Sequence, residues 1–291
     1  MEKFKTIMDS FFGEFEEYRE IPKGKGIRGK LITIICPNRE EAHRLAAIVE
    51  SIHLASLLHD DVIDRADKRR GISSINAKYG DFTAIMLGDI IYSRAFMELL
   101  SFPTEIAYTI SRAVYLLSQG ELIDVRSSRE FNPSLRNYYD LIYKKTASLI
   151  EGATKSGAIL AELEWEPFAL YGKNLGLAFQ IIDDLLDVIG NPEKLGKPTM
   201  GDFREGKTTL PFIYLYQRLS EREREKLLSL YKKNLLPVER EWILDRMERY
   251  QIVGEVKREA KELVEEAKRI IRPFNIPELL ELADRVVERE R

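Results

Sequence analysis

An all-helical fold is predicted by three features of this 291-residue chain. Apolar residues recur every three to four positions through most of its length, no convincing alternating strand interrupts them, and Pro and Gly fall in the gaps between the periodic stretches. Taken in order, the segment Pro22 to Gly29 precedes a helical stretch over about 39–64, which gives way to a break around Arg65 to Gly80. A second stretch, 81–101, stops at Phe102-Pro103, and a third, 104–126, runs toward Asn132-Pro133. The stretches 134–162 and 167–189 follow, then a long break from Gly190 to Gly206, a helix over 207–219 and shorter helices filling 221–290. No linker or low-complexity tract marks a boundary, so residues 1–291 are read as one domain, a single helical bundle.

Composition narrows the function. Lys plus Arg number 45 against 48 Asp plus Glu, a net charge of −3, so no global field draws the chain to nucleic acid or anionic lipid. The lone Cys36 forms no intrachain disulfide, the first residues lack a secretory apolar core, and the longest apolar runs are too short to cross a bilayer. These features predict a cytoplasmic protein without stable membrane insertion.

Chemistry is announced by a repeated carboxylate pattern. Asp60-Asp61-Val62-Ile63-Asp64 and Asp183-Asp184-Leu185-Leu186-Asp187 lie within apolar helical stretches. At about 100° per residue, the first and third Asp of each copy fall about 40° apart and the second about 60° beyond the third, so all three share a face. Like charges about 4 Å apart repel by about 4 kcal/mol at an effective dielectric near 20, and such clusters persist where cations neutralise them. Carboxylate oxygens facing a phosphate-bearing substrate suit magnesium. Each acidic helix end also hands over to a basic segment: Arg65, Lys68, Arg69 and Arg70 after the first copy, Lys194, Lys197, Arg204 and Lys207 after the second.

In this order the motifs resemble those of the trans-isoprenyl diphosphate synthases, in the long-chain polyprenyl diphosphate synthase branch. The match includes Gly24-Lys25 with Arg28, the block His53 to His59, Ala66 to Gly71, Gly88-Asp89, Lys145-Thr146-Ala147, Phe179-Gln180, Gly196-Lys197-Pro198, Gly201-Asp202 and Glu205-Gly206-Lys207. The resemblance implies an isoprenoid synthase fold in which both acid-rich motifs face a central cavity. It implies a transfer in which an allylic diphosphate ionises and the double bond of isopentenyl diphosphate attacks the cation. Mg2+ ions, three to an active site, would be held by Asp60, Asp64 and Asp183, with Asp61, Asp184 and Asp187 in reach. Lys145, Lys197 and Lys207 match lysines that bind the allylic diphosphate, and Arg69 its arginine contact. Lys25, Arg28, His53 and Arg70 match the isopentenyl diphosphate site. Gln180 is directed toward the diphosphate, and Thr146 with the Lys145 carbonyl steadies the cation. Proton removal falls to the released pyrophosphate. His53 lies about 20° around the helix from Asp60 and about 10 Å along it, which agrees with that role.

The resemblance also carries a departure and two size clues. The usual N-terminal pattern has two arginines and a proline, whereas this chain reads Gly24-Lys25-Gly26-Ile27-Arg28-Gly29, losing a bidentate phosphate contact at Gly26. Restoring Gly26→Arg is expected to lower the Michaelis constant for isopentenyl diphosphate, unless Lys23 or Lys30 substitutes. In the family, bulky aromatics four or five residues before the first motif stop chain growth, and here those positions are Ser56 and Ala55. Small side chains there imply all-trans products beyond twenty carbons. The alternatives are a farnesyl or geranylgeranyl synthase, a class I terpene cyclase, and a noncatalytic subunit of a heteromeric synthase. Family relatives pair through mid-chain helices, so a homodimer through residues 81–117 is expected.

Overall fold

The periodic stretch over 39–64 becomes a 24-residue helix, Glu40–Ile63, in the computed structural model, which describes residues 3–22, 24–190 and 199–288. The elements before and after it are α1 (Lys3–Phe12), α2 (Glu16–Arg19), α3 (Ile27–Ile35), α4 (Glu40–Ile63), a hairpin of β1 (Lys68–Arg69) and β2 (Ile72–Ser73), α5 (Ile75–Tyr79), α6 (Asp81–Leu99) and α7 (Thr104–Ser127). Then come α8 (Leu135–Ile142), a π-helical turn (Tyr143–Ala147), α9 (Ser148–Leu160), α10 (Glu166–Ile189), α11 (Gly201–Glu205), α12 (Leu210–Arg218), α13 (Glu221–Leu230), α14 (Pro237–Arg249), α15 (Ile252–Ile271) and α16 (Pro277–Val287). The fold is all-α apart from the two-residue strands. Chain contacts divide it into two compact units, Met1–Val114 with Glu151–Ala169 and Tyr115–Ile150 with Leu170–Arg291.

In the first unit α4 packs against α1, α3 and α6. Glu40 and Glu41 in its first turn favour the positive helix end. Ala42, Ala46 and Ala47 are fully buried, so neighbouring backbones come close, while Leu45, Ile48 and Ile52 supply apolar volume. The helix ends in a Schellman closure. Arg65 turns into the left-handed region at φ 50°, its N–H donates to Val62 O at 3.2 Å, and Ala66 N–H donates to Asp61 O at 2.8 Å. The hairpin that follows departs from the expectation of a plain loop. Arg70 and Gly71, at φ 53° and 84°, form a two-residue turn of the kind whose twist matches antiparallel strands, pairing Lys68 with Ser73 and Arg69 with Ile72.

The stretch expected as one helix over 134–162 is helical without a gap from Leu135 to Leu160 and widens into a π-helical turn at Tyr143–Ala147. The reason is contact on two sides. A Cβ at Gly120 of α7 would lie 2.6 Å from Lys145 N, and one at Gly176 of α10 would lie 2.5 Å from Ala147 Cα. Two side-chain-free positions therefore clamp this turn backbone to backbone. Further along, α15 packs on α12, α14 and α16. It buries Ile252, Val256, Ala260, Val264, Ala267 and Ile271 along one stripe, and its Lys, Glu and Arg residues lie off that stripe.

Candidate functional site

In the first unit, α4 carries the first acid-rich motif at its C-terminal end. Asp60 is half-buried, Asp64 is exposed at the helix cap, and Asp61 turns inward, 3% exposed. The three carboxylates thus differ in role. Asp61 accepts Arg69 Nε at 2.9 Å on both oxygens and Arg69 Nη2 at 2.8 Å, a chelated ion pair that ties the hairpin to the helix. Asn76 Nδ2 donates to the Asp61 and Ala66 carbonyls at 3.2 Å each, and Ser74 Oγ donates to Ala66 O, fixing the connection.

A pocket opens on α4 before this motif, lined by residues of α1, the segment before α3, α4 and the hairpin turn. His53 and Arg70 are among the residues lining it. Burial first, then the charges of Arg28, Arg69 and Arg70, hold the His53 imidazole well below its usual range, so at neutral pH it is an uncharged hydrogen-bonding group. Arg70 Nη1 donates to Pro22 O at 2.8 Å. Arg28 is half-buried, and its Nε is a buried donor without a hydrogen-bond partner, which suits an anionic ligand. Lys25 is exposed.

The glycine departure has a local explanation. Gly29 N–H donates to Glu50 Oε1 at 2.8 Å, and a Cβ at Gly29 would lie 3.1 Å from Glu50 Cγ and 3.3 Å from both Ala46 Cβ and Phe4 Cε2. Proline there would remove the donor and crowd α4. Gly26 is buried in the left-handed region at φ 66°, so an arginine at this position would carry strain of about 1 kcal/mol.

In the second unit α10 carries the other motif. Asp183 is half-buried, whereas Asp184 and Asp187 are 4% and 5% exposed. Asp184 accepts Gln180 Nε2 and Tyr138 Oη, each at 2.7 Å, and Gln180 Oε1 accepts Thr146 Oγ1 at 2.7 Å. The π-helical turn, α8 and α10 are joined through this chain of donors. Burial and then the neighbouring Asp202 raise the Asp184 carboxyl well above the usual range, against the lowering effect of its two donors. Tyr138 is likewise pushed well above its ordinary value, by burial and then by Asp184, and remains a donor. Asp187 Oδ2 accepts Asp202 N–H at 3.1 Å, and its carbonyl accepts Met200 N–H at 2.6 Å, seating α11 against the end of α10.

Lys145 is held by two carboxylates of α7, Asp124 Oδ2 at 2.5 Å and Glu121 Oε2 at 2.7 Å. Neither acid was anticipated, although charged residues flanking Leu122 and Ile123 in an apolar stretch carry a readable signal. Tyr138 was missed too. Lys207 pairs with Glu205 at 3.0 Å. Lys144 bonds Asp140 one turn back, as a surface residue does, and His59 Nε2 lies 3.2 Å from Ile85 O. Lys197, with Lys23 and Lys194, lies outside the described residues. Ala55 and Ser56 are both buried, Ala55 among Phe12, Tyr18, Ile21 and Leu87, and Ser56 Oγ donates to His53 O at 2.8 Å.

Among the described residues, no three His, Cys, Asp or Glu side chains form a ready metal cage. Magnesium takes one or two carboxylates and completes its shell with water and substrate phosphate. Asp60 and Asp64 in the first unit, and Asp183 in the second, are carboxylates of the kind that mode uses.

Comparison with known proteins agrees with this geometry. Residues 11–241 match the family model described as polyprenyl synthetase. The fold is similar to the crystal structure of octaprenyl pyrophosphate synthase from Helicobacter pylori, with a TM-score of 0.94 at 38% identity, over 98% of this chain and 97% of that one. A short chain isoprenyl diphosphate synthase of Methanocaldococcus jannaschii is 38% identical over 199 residues, 66% of this chain and 61% of that protein. An octaprenyl diphosphate synthase of Escherichia coli is 41% identical over 174 residues, 58% of this chain and 54% of that protein. The aligned stretches span less than two thirds of these two curated relatives. With most of its length matched by the family model, this chain belongs to the polyprenyl synthetase family.

Proposed function

We propose that the protein is a magnesium-dependent trans-prenyltransferase that condenses isopentenyl diphosphate head-to-tail onto an allylic diphosphate, making all-trans polyprenyl diphosphates longer than twenty carbons. The observation that carries this reading is the division of labour repeated in both motifs. In each motif the middle aspartate is buried and accepts donors, Arg69 on Asp61 and Gln180 with Tyr138 on Asp184, whereas the first, Asp60 or Asp183, is half-buried. Magnesium, when bound to Asp60, Asp64 and Asp183, supplies charge neutralisation to the departing diphosphate. The allylic C–O bond breaks with its electron pair on the diphosphate, the alkene of isopentenyl diphosphate forms the new C–C bond, and a proton passes to pyrophosphate. Lys145, oriented by Glu121 and Asp124, together with Lys197, Lys207 and Arg69, donates to the leaving group. Thr146, aligned by Gln180, steadies the cation beside the Lys145 carbonyl.

Incubation with magnesium, farnesyl diphosphate and labelled isopentenyl diphosphate tests the reading. Extended prenyl chains support it. Cyclic hydrocarbons would mean a cyclase, and silence relieved only by another subunit would mean a noncatalytic partner.

Product length has a second reading. The octaprenyl relatives and the small Ala55 and Ser56 support long products, whereas the close packing of Ala55 and the archaeal short-chain relative support a shorter limit. Ala55→Tyr is expected to shorten the product ladder on thin-layer chromatography. Because the site is fully buried, it also lowers stability by about 1–3 kcal/mol. An unchanged ladder removes Ala55 as the gate.

An isologous homodimer is proposed from the exposed face of α6. Phe82, Met86 and Met97 recur along it and Leu100 follows at its end, with Phe82 87% and Leu100 83% exposed, and Tyr108 of α7 is also exposed. Phe82→Glu with Met86→Glu is expected to halve the mass measured by light scattering. An unchanged mass would move the interface elsewhere. No described helix is long and apolar enough to cross a membrane, and the buried free Cys36 suits a reducing compartment, so a cytoplasmic location is proposed.

A further inference from the structure

Residues 206–209, between α11 and α12, carry Lys207, and their path is fixed by groups of the second unit that lie far away in sequence. Gly206 turns at φ 90°, and a Cβ there would lie 2.5 Å from Ser128 O, so the chain runs close against the end of α7. Lys207 N–H donates to Asp202 O at 2.7 Å. Tyr231, the residue after α13, reaches both neighbours of Lys207: its Oη donates to Gly206 O and lies 3.1 Å from Thr208 Oγ1. A phenol has one proton, which Gly206 O takes, so Thr208 is the donor in the second bond. Thr208 Oγ1 itself accepts Asn132 N–H at 3.2 Å. Donors thus run from Asn132 through Thr208 and Tyr231 to Gly206, spanning Lys207. The ring is held as well, edge-to-face with Phe131 at 5.3 Å and with Phe203 of α11 at 5.2 Å between centroids. Burial raises the Tyr231 hydroxyl above its ordinary pKa, so it stays a neutral donor. Tyr231 lies outside every motif of the sequence resemblance.

We propose that Tyr231 is a positioning residue of the prenyl transfer: through Gly206 and Thr208 it holds the backbone from which Lys207 reaches the allylic diphosphate. The assignment rests on the reading of Lys207 as a ligand of that diphosphate. A lysine ammonium sits on a flexible four-carbon stem, so the only part of the residue that the fold can fix in advance is its backbone. Tyr231 fixes it from both sides at once. Without the hydroxyl, Gly206 O and Thr208 Oγ1 lose this partner, the segment is free to shift, and Lys207 meets the diphosphate from a less favourable start. Loss of one neutral hydrogen bond corresponds to about a threefold to tenfold change in an equilibrium constant.

The test is a double-mutant cycle on the full chain, read as the Michaelis constant for farnesyl diphosphate with magnesium and labelled isopentenyl diphosphate present. Lys207→Met is expected to raise that constant about tenfold or more, the loss of a charge-assisted contact. Tyr231→Phe keeps the ring and removes only the hydroxyl; it is expected to raise the same constant about fivefold, while the Michaelis constant for isopentenyl diphosphate holds. In the Lys207→Met background, Tyr231→Phe should add nothing, because the residue it positions is gone. An equal effect of Tyr231→Phe in both backgrounds means a structural role unconnected with Lys207 and overturns the proposal. So does a wild-type constant in Tyr231→Phe when Lys207→Met raises it. If Tyr231→Phe melts too low to assay, Thr208→Val, which takes away the donor to Tyr231, replaces it in the same cycle with the same outcomes. A wild-type constant in Lys207→Met overturns the reading of Lys207 and the proposal with it. In a protein inert toward farnesyl and isopentenyl diphosphates, the functional reading and this proposal fall together.

Discussion

Asparagine in place of Asp60 or Asp183 is expected to lower turnover by about a thousandfold while leaving the melting temperature near that of the wild type. Both side chains are half-buried, and their replacement removes charge without removing bulk. Asp61→Asn should behave in the opposite sense. It breaks a buried ion pair in which Arg69 makes three contacts, costing about 2–3 kcal/mol of stability. Catalysis then falls only as far as the hairpin loosens. The contrast between neighbouring carboxylates separates an ion-holding role from an anchoring one. Equal stability losses at Asp60 and Asp61, measured by urea unfolding, would show that the structure's division of labour is not functional.

Valine in place of Gly120 should have a large effect although the position is remote in sequence from the acidic motifs. Its Cβ would meet Lys145 N at 2.6 Å, Lys145 Cα at 2.9 Å and Lys144 C at 3.0 Å, all backbone atoms that no rotamer change can clear. Either α7 or the π-helical turn must move. A cost of about 3 kcal/mol is expected, and the displaced turn carries Lys145 away from Glu121 and Asp124 and Thr146 away from Gln180. Activity should therefore fall further than the stability loss explains. Gly120→Val that retains wild-type melting and turnover would mean that the turn is not clamped.

The sequence revealed the parts of this fold that obey a simple period. Helices α4, α7 and α10 lie within a few residues of their predicted spans because their buried positions repeat at three and four residues. The helix over 134–162 was legible but its π-helical turn was not, because that turn packs against glycines 25 and 29 residues away in sequence, Gly120 to Lys145 and Gly176 to Ala147, and leaves no local pattern. The hairpin had a signal that went unread: Arg70-Gly71 between two pairs of strand residues suits a tight turn. For the site, helical phase put the three acids of each motif on one face without separating them, and setting Asp60, Asp64 and Asp183 apart from Asp61, Asp184 and Asp187 came from the resemblance. Phase gives direction around one helix. It does not know that Arg69 returns by a hairpin to claim Asp61, or that Tyr138 on another helix claims Asp184. The partners of Lys145 escaped for the same reason, being tertiary contacts across more than twenty residues.

The measurement closest to the central claim is a calorimetric titration of the protein with an unreactive thiolo analogue of farnesyl diphosphate, with and without magnesium. Wild-type protein should bind tightly only when magnesium is present, and Asp60→Asn and Asp183→Asn should each abolish that metal-dependent gain. Tight binding of the analogue in EDTA, or an undiminished magnesium effect in both variants, would contradict the account.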